Sequence, residues 1–402
     1  MITNPFLILL ILTSVIFTVK FISGLELSKP VFRYLPAPLW CYFLPTLLSS
    51  AGFIPYDAPL YGIISRFVLP ACLILLLIGT HIPSIIQLGE KSLLAMAAGS
   101  AGIFAGAVIS FALIFRLRSA HDPLAPEFWK GWGCLSASWT GGSANMIAVR
   151  EILNANENLF SNLIVTDATI AYSWMAILVF LSQYQESINR FLGADESMIA
   201  GKEISEDALQ ALQSKKENAF EAASRISILL VFGFSLGYAC WVFSGVLPSW
   251  GTMLNRFSWT IIFATFLPLA LSATRARNIE RLGAEKTGTF LLYILLTSVG
   301  ARANLSSLSS APYFIAFGFV CVSIHGLILL ASGKLFKIPV SLLAAASQAN
   351  VGGTISAPLV AGIYRKDLAP VGVILAVLGN IYGTYFGLFT AKICRIISYL
   401  IK

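Results

Sequence analysis

Charge is what this 402-residue sequence has least of. Asp, Glu, Lys and Arg together make up 11% of it, 57% is hydrophobic, and the mean hydropathy is +0.80. An ordinary soluble domain carries about 25% charged residues. A chain this poor in charge cannot solvate its own surface, so a water-soluble globular protein is excluded. Histidine is nearly absent, with three residues. The six cysteines, Cys41, Cys72, Cys134, Cys240, Cys321 and Cys394, fall in or near apolar stretches and never form a CxxC pair. That argues against a metal centre and against a disulfide framework. There is no Walker lysine motif, no GxSxG, no HExxH and no haem or iron–sulfur spacing. An ATP-driven pump or a hydrolase has no footing here; the chain is not read as an enzyme, and no cofactor is expected. The net charge of +8 is no nucleic-acid signal, because the basic residues collect at the ends of apolar segments, as the positive-inside bias requires.

What is present is apolar length. A spanning helix needs about 20 mostly apolar residues. Segments of that kind lie near 5–23, 38–55, 62–80, 93–115, 131–150 and 161–182, and again near 225–247, 257–274, 287–301, 312–332, 340–363 and 368–392. The run from Pro5 to Val19 has no basic region before it and no small-residue cleavage site after it, so it reads as a membrane helix and not as a signal peptide. Between the two series, 183–222 is rich in Glu, Asp and Lys, including Glu186, Arg190, Lys202 and Glu217. It reads as a soluble linker with some helix. The expected organisation is a first transmembrane repeat over 1–182, the linker over 183–222, and a second repeat over 223–402.

The halves look like copies. Leu44-Pro45-Thr46-Leu47 matches Leu267-Pro268-Leu269-Ala270, and Ile78-Gly79-Thr80-His81 matches Val299-Gly300-Ala301-Arg302. Gly141-Gly142-Ser143 matches Gly352-Gly353-Thr354, in the same order. The last pair is the centre of the reading. Each Gly-Gly is followed by a hydroxyl residue and set among small and polar side chains inside an apolar segment. Gly-Gly is the dipeptide most able to leave helical geometry. Irregular backbone survives at membrane depth only inside protein or against a cavity. Two such breaks, one per half, point to a paired binding site near the bilayer midplane. Trp139, Thr140, Ser143, Asn145, Gln348, Asn350, Thr354 and Ser356 would supply its hydroxyls and amides, with free N–H groups at the half-helix starts. The bland alternative is that these residues only bond between packed helices. The spacing leaves open whether the Gly-Gly segments cross the membrane or re-enter. Crossing segments give parallel copies, re-entrant ones inverted copies. Either way the basic residues place the linker in the cytoplasm.

Asp167 is the sharpest single residue, a carboxylate near the start of the sixth segment. Such a group faces a bundle interior, an ion path or a partner, unless it caps a helix that starts later. The equivalent place in the second half is near Asn380. Together they would offer one charged and one neutral oxygen to a coupling ion, Na+ or H+; hard cations take such ligands. His325, in an apolar segment, suits either a proton relay or a buried ring bonded to a carbonyl. Arg66, His81 and Arg302 lie near segment ends and read as snorkelling or pairing groups. Arg275, Arg277, Arg281 and Lys286 read as topology and anionic-lipid contacts. Gly99, Gly102 and Gly106 form a small-residue stripe for close packing, and Pro45 and Pro268 mark kinks.

Trp139-Thr140-Gly141-Gly142-Ser143-Ala144-Asn145 and Ser347-Gln348-Ala349-Asn350-Val351-Gly352-Gly353 resemble the signatures of an uncharacterised integral-membrane family, domain of unknown function 819 (YjcL-like). The resemblance runs from about residue 5 to 392. That family is grouped with the sodium–glutamate, 2-hydroxycarboxylate and bile-acid sodium symporters and the cation–proton antiporters. In the glutamate and hydroxycarboxylate members, Gly-Gly pairs sit at the tips of two re-entrant loops, one per inverted repeat. The resemblance therefore implies an all-α polytopic membrane protein with two inverted halves, each of about five spanning helices plus one Gly-Gly-broken segment. It implies homodimers as a possibility, and it carries no substrate across. The expectation is an ion-coupled symporter of a small, anionic organic solute, with the lipid bilayer and that solute as partners. A cation–proton antiporter using Asp167 and a non-transporting scaffold docking through 183–222 are the alternatives.

Overall fold

The computed structural model describes residues 2–35, 37–118, 122–194, 219–249, 254–303 and 310–401. Most of the expected linker, 195–218, lies outside the described residues. Among those described, the regular structure is helical: α1 Pro5–Ser23, α2 Lys29–Tyr34, α3 Ala37–Ser50, α4 Pro59–Leu77, α5 Ile82–Gln87, α6 Glu90–Arg118, α7 Phe128–Leu153 and α8 Glu157–Leu181. There follow α9 Gln185–Leu192, α10 Ala219–Ser244, α11 Arg256–Ser272, α12 Ala284–Arg302, α13 Ala311–Phe336, α14 Val340–Val351, α15 Gly353–Tyr364 and α16 Ala369–Ile401. Local chemistry sets several starts. Asn4 accepts the Phe6 N–H at 2.9 Å just before Pro5 opens α1, and Asn255 with Ser258 forms a capping box on α11.

Among the described residues, seven helices are long and apolar enough to cross a membrane, and eight if α11 is counted with the turn Arg275–Leu282 bent from it by 102°. The chain is thus an all-α, multi-pass integral membrane protein. The segment expected at 38–55 forms a helix of only 14 residues, α3. Gly52, with φ 78°, turns the chain soon after it.

The chain divides into two compact units, and each draws on both halves of the sequence. The first holds Met1–Thr80, Arg150–Ala168 and Glu217–Pro312. Its helices meet at small residues: Gly300 of α12 lies against Tyr42 of α3, where an added Cβ would stand 2.1 Å from the Tyr42 carbonyl oxygen. Thr46 Oγ1 donates to the Gly300 carbonyl at 2.9 Å. The same unit holds a cluster of four charges with Arg150 buried at its centre. Arg150, 2% exposed, pairs with Glu151 and Glu157. Arg302 pairs with Glu157 at 2.7 Å, and Ser65 donates to Glu151 at 3.0 Å. Arg302 is therefore an ion-paired residue, one of the two readings given to it.

The second unit holds His81–Val149, Thr169–Lys216 and Tyr313–Lys402. In it the stripe on α6 works as packing. A Cβ at Gly102 would stand 2.8 Å from His325 Cα, and one at Gly106 2.4 Å from the Cys321 carbonyl oxygen, both on α13. All twelve residues of α14 are buried.

Candidate functional site

Both Gly-Gly pairs leave helical geometry, and they do so alike. Gly142, inside α7, has φ 78° and ψ 174°, a region essentially reserved for glycine. Gly353, which opens α15, has φ 72°. Each is the second glycine of its pair. The first glycine is crowded instead. A Cβ on Gly141 would lie 2.7 Å from the Gly379 carbonyl oxygen and 2.8 Å from Gly383 Cα. A Cβ on Gly352 would lie 2.0 Å from Gln348 Nε2 and 2.1 Å from Ser356 Oγ. At the second glycines there is room: Gly353 meets nothing within 4 Å, and Gly142 meets only Asn380 Oδ1 at 3.6 Å. One glycine stands where a Cβ would be crowded, and the next turns the backbone.

The second break turns the chain back on itself. The Val340 N–H at the start of α14 donates to Asn189 Oδ1 at 2.9 Å, beyond the end of α8. Seven residues on, Ser347 Oγ accepts from Trp174 Nε1 at 2.8 Å, well inside α8. At the end of α15, the Tyr364 hydroxyl donates to the Leu178 carbonyl at 2.7 Å. The chain therefore advances along α8 in α14 and retreats along it in α15. A crossing helix would have carried Tyr364 onward by about 18 Å at 1.5 Å per residue.

The first break has its own brace. Up to Gly141, α7 runs against α16 in a glycine seam. A Cβ on Gly387 would stand 2.5 Å from the Ala137 Cβ, and one on Gly379 2.1 Å from the Thr140 carbonyl oxygen. Four residues after Gly141, Asn145 still meets the same stretch of α16. Its Nδ2 donates to the Asn380 carbonyl at 3.2 Å and to the Gly141 carbonyl, and its Oδ1 accepts the Thr384 N–H at 3.1 Å and the Thr384 hydroxyl. The chain after Gly142 has stopped advancing along α16.

The expected site residues separate into two groups on this geometry. Thr140, Asn145 and Asn350 are buried with their polar atoms engaged internally. Thr140 donates to the Ser136 carbonyl. Asn350 accepts from Ser100 Oγ at 2.8 Å and donates to the Ala346 carbonyl at 2.9 Å. Trp139 is buried edge-on to Trp132, with ring centroids 6.5 Å apart. Gly142, Ser143, Gly352, Gly353, Thr354 and Asn380 are half-buried at the breaks. Gln348 is buried; its Nε2 donates to Ser356 Oγ at 2.8 Å, and among the described residues no group meets its Oε1. The second unit holds all of these, Asn380 beside Gly142 included. Asp167, half-buried on α8, belongs to the first unit. Sequence reasoning missed the seam Gly379, Gly383, Gly387, although its spacing of four was in plain view. It also missed Thr384, Tyr382 and Trp174, which reach the site region through contacts that no local pattern announces. No group of His, Cys, Asp and Glu suited to a metal occurs among the described residues.

Apolar spans, a folded-back helical hairpin and a matching kinked helix define a class: multi-pass membrane proteins with paired helix breaks. Within that class, the chain belongs to the family described as protein of unknown function (DUF819), whose profile matches residues 8–397. It is similar to the uncharacterized membrane protein YjcL of Bacillus subtilis (strain 168), with 25% identity over 352 residues, covering 85% of this chain and 86% of that one.

Proposed function

We propose that the protein is a secondary active transporter, an ion-coupled symporter of a small, anionic organic solute. The observation that carries this reading is the like construction of the two breaks, a crowded glycine followed by a positive-φ glycine with room beside it. Paired breaks of this kind hold substrate in transporters built from repeats, and we read the two halves here as inverted repeats. The site would be lined by Ser143, Thr354, Gln348 and Asn380 and by the backbone N–H groups that open the half-helix at Gly353, where no side chain caps the helix. Thr140, Asn145 and Asn350 would hold the breaks in shape. Asp167 would carry the coupling Na+ or H+, with Asn380 as its counterpart in the second half of the sequence. We place the protein in a bacterial plasma membrane with 183–222 on the cytoplasmic side, and a homodimer is the expected assembly by analogy alone. The second reading, a cation–proton antiporter, rests on Asp167 and needs no organic solute.

The test is charge movement in proteoliposomes carrying a sodium gradient, challenged with a panel of small mono- and dicarboxylates. A current with wild-type protein that Gly142→Ala and Gly353→Ala both abolish supports the reading. A current untouched by both substitutions would remove the breaks from the mechanism.

A further inference from the structure

His325, on α13, has no exposed surface. Its Nδ1 lies 2.8 Å from the Gly99 carbonyl oxygen on α6, and its Nε2 lies 2.8 Å from Ser347 Oγ on α14. A carbonyl oxygen only accepts, so Nδ1 must carry a proton, and in the neutral ring Nε2 is then the bare acceptor. Ser347 therefore donates its hydroxyl hydrogen to Nε2, while its oxygen accepts the Trp174 indole N–H from α8 at 2.8 Å. The donors run one way, from Trp174 through Ser347 and His325 to Gly99. Four helices are joined by one chain of hydrogen bonds. The backbone around it is cut to admit these side chains: a Cβ on Gly326 would stand 2.8 Å from Trp174 Cη2, and one on Gly99 3.3 Å from His325 Cε1. One turn further along α14, Asn350 is held by Ser100, which in turn meets the Tyr382 hydroxyl at 2.7 Å.

The arm after the break is tied differently. On α15, Ile355, Leu359 and Ile363 are 71%, 59% and 51% exposed, while Ala357, Val360 and Ala361 are buried; its side-chain hydrogen bonds are those of Ser356 with Gln348 on α14 and of Tyr364 with Leu178.

We propose that His325 is a positioning residue for the hairpin: with Ser347 and Trp174 it clamps α14, so that α14 is the fixed arm, α15 the looser one, and Gln348, next to Ser347, is presented at the break. The clamp rests on the hairpin geometry. Only its purpose rests on the transporter reading. This resolves the choice left at His325 in favour of a ring bonded to a carbonyl, with a second bond that fixes its tautomer.

The test is hydrogen–deuterium exchange by mass spectrometry on the full-length protein in detergent, without substrate or gradient. Peptides over 340–351 should exchange more slowly than those over 353–364. Ser347→Ala and His325→Phe should each speed exchange over 340–351 by about tenfold, because each strands buried polar groups and lowers local opening energy. The double variant should be no faster than the faster single one, since both cut the same chain. His325→Gln, which keeps an acceptor for Ser347, should recover much of the protection. Unchanged exchange over 340–351 in Ser347→Ala, or additive effects in the double variant, would overturn the clamp. If His325→Phe does not fold, Ser347→Ala still decides. Loss of every transport signal with the clamp intact would count against the transporter reading alone.

Discussion

Substituting alanine at Gly141 and at Gly142 should destabilise the protein for two different reasons, and the difference is measurable. At Gly141 the added methyl would stand 2.5 Å from Asn145 Nδ2, 2.7 Å from the Gly379 carbonyl oxygen and 2.8 Å from Gly383 Cα. Two of those three atoms are backbone of α16 and cannot swing aside. An ordinary carbon contact needs ~3.5 Å or more, so α7 and α16 must part by several tenths of an ångström. Overpacking of this sort costs ~1–3 kcal/mol. At Gly142 the methyl would have room, its nearest neighbour being Asn380 Oδ1 at 3.6 Å. The cost there comes from the backbone, whose φ 78° and ψ 174° suit no L-residue and carry ~1–3 kcal/mol of strain. Either change should lower the melting temperature in detergent by roughly 1–4 °C. The two causes separate by side-chain size. The loss at Gly141 should grow steeply from alanine to serine to valine, because each atom pushes the helices further apart. The loss at Gly142 should be nearly flat between alanine and serine. A melting temperature unmoved by Gly141→Ala, or a steep size dependence at Gly142, would refute the division of labour drawn for the pair.

Three further outcomes follow from the same geometry. Asn145→Ala should destabilise by ~2–3 kcal/mol, because it abandons the Thr384 hydroxyl and N–H and two carbonyls at once; detergent melting curves read it directly. Arg150→Ala should cost ~3–5 kcal/mol, since it leaves the Glu151 and Glu157 carboxylates partly buried with one cation fewer, whereas Glu151→Gln should cost less; chemical unfolding would rank them. Gly300→Ala should also destabilise, because its Cβ would collide with the Tyr42 carbonyl at 2.1 Å, and a melting temperature within a degree of wild type would contradict the close approach of α3 and α12.

The sequence made some of this legible because the physics was local. Low charge and long apolar runs dictated a membrane protein, and Gly-Gly set among small polar residues marked both breaks before any coordinates. The roles around the breaks were less legible. Thr140, Asn145 and Asn350 looked like lining residues, since a polar side chain in an apolar segment advertises a need without naming who meets it. In each case carbonyls or hydroxyls within the same unit do so, and for Asn145 they come from α16, more than two hundred residues away. Whether a Gly-Gly segment crosses or returns was also beyond reading. It depends on Tyr364 meeting Leu178, a contact that hydropathy does not encode. Likewise, Arg302 could be read as an end-of-helix cation, but its partners Glu151 and Glu157 come from the other half of the chain. The seam Gly379, Gly383, Gly387 was the opposite case, since small residues at a spacing of four are a local pattern legible in the sequence itself.

The central claim, that an ion gradient drives this protein, is tested most directly by its thermal stability in detergent titrated with sodium against potassium at fixed ionic strength. A ligand that binds only the folded state raises stability by mass action. The account predicts that sodium raises the melting temperature saturably, that potassium does not, and that Asp167→Asn abolishes the sodium effect; with a proton as the coupling ion, the same dependence on Asp167 appears against pH instead. Equal responses to sodium and potassium, together with a pH response that Asp167→Asn leaves intact, would contradict it.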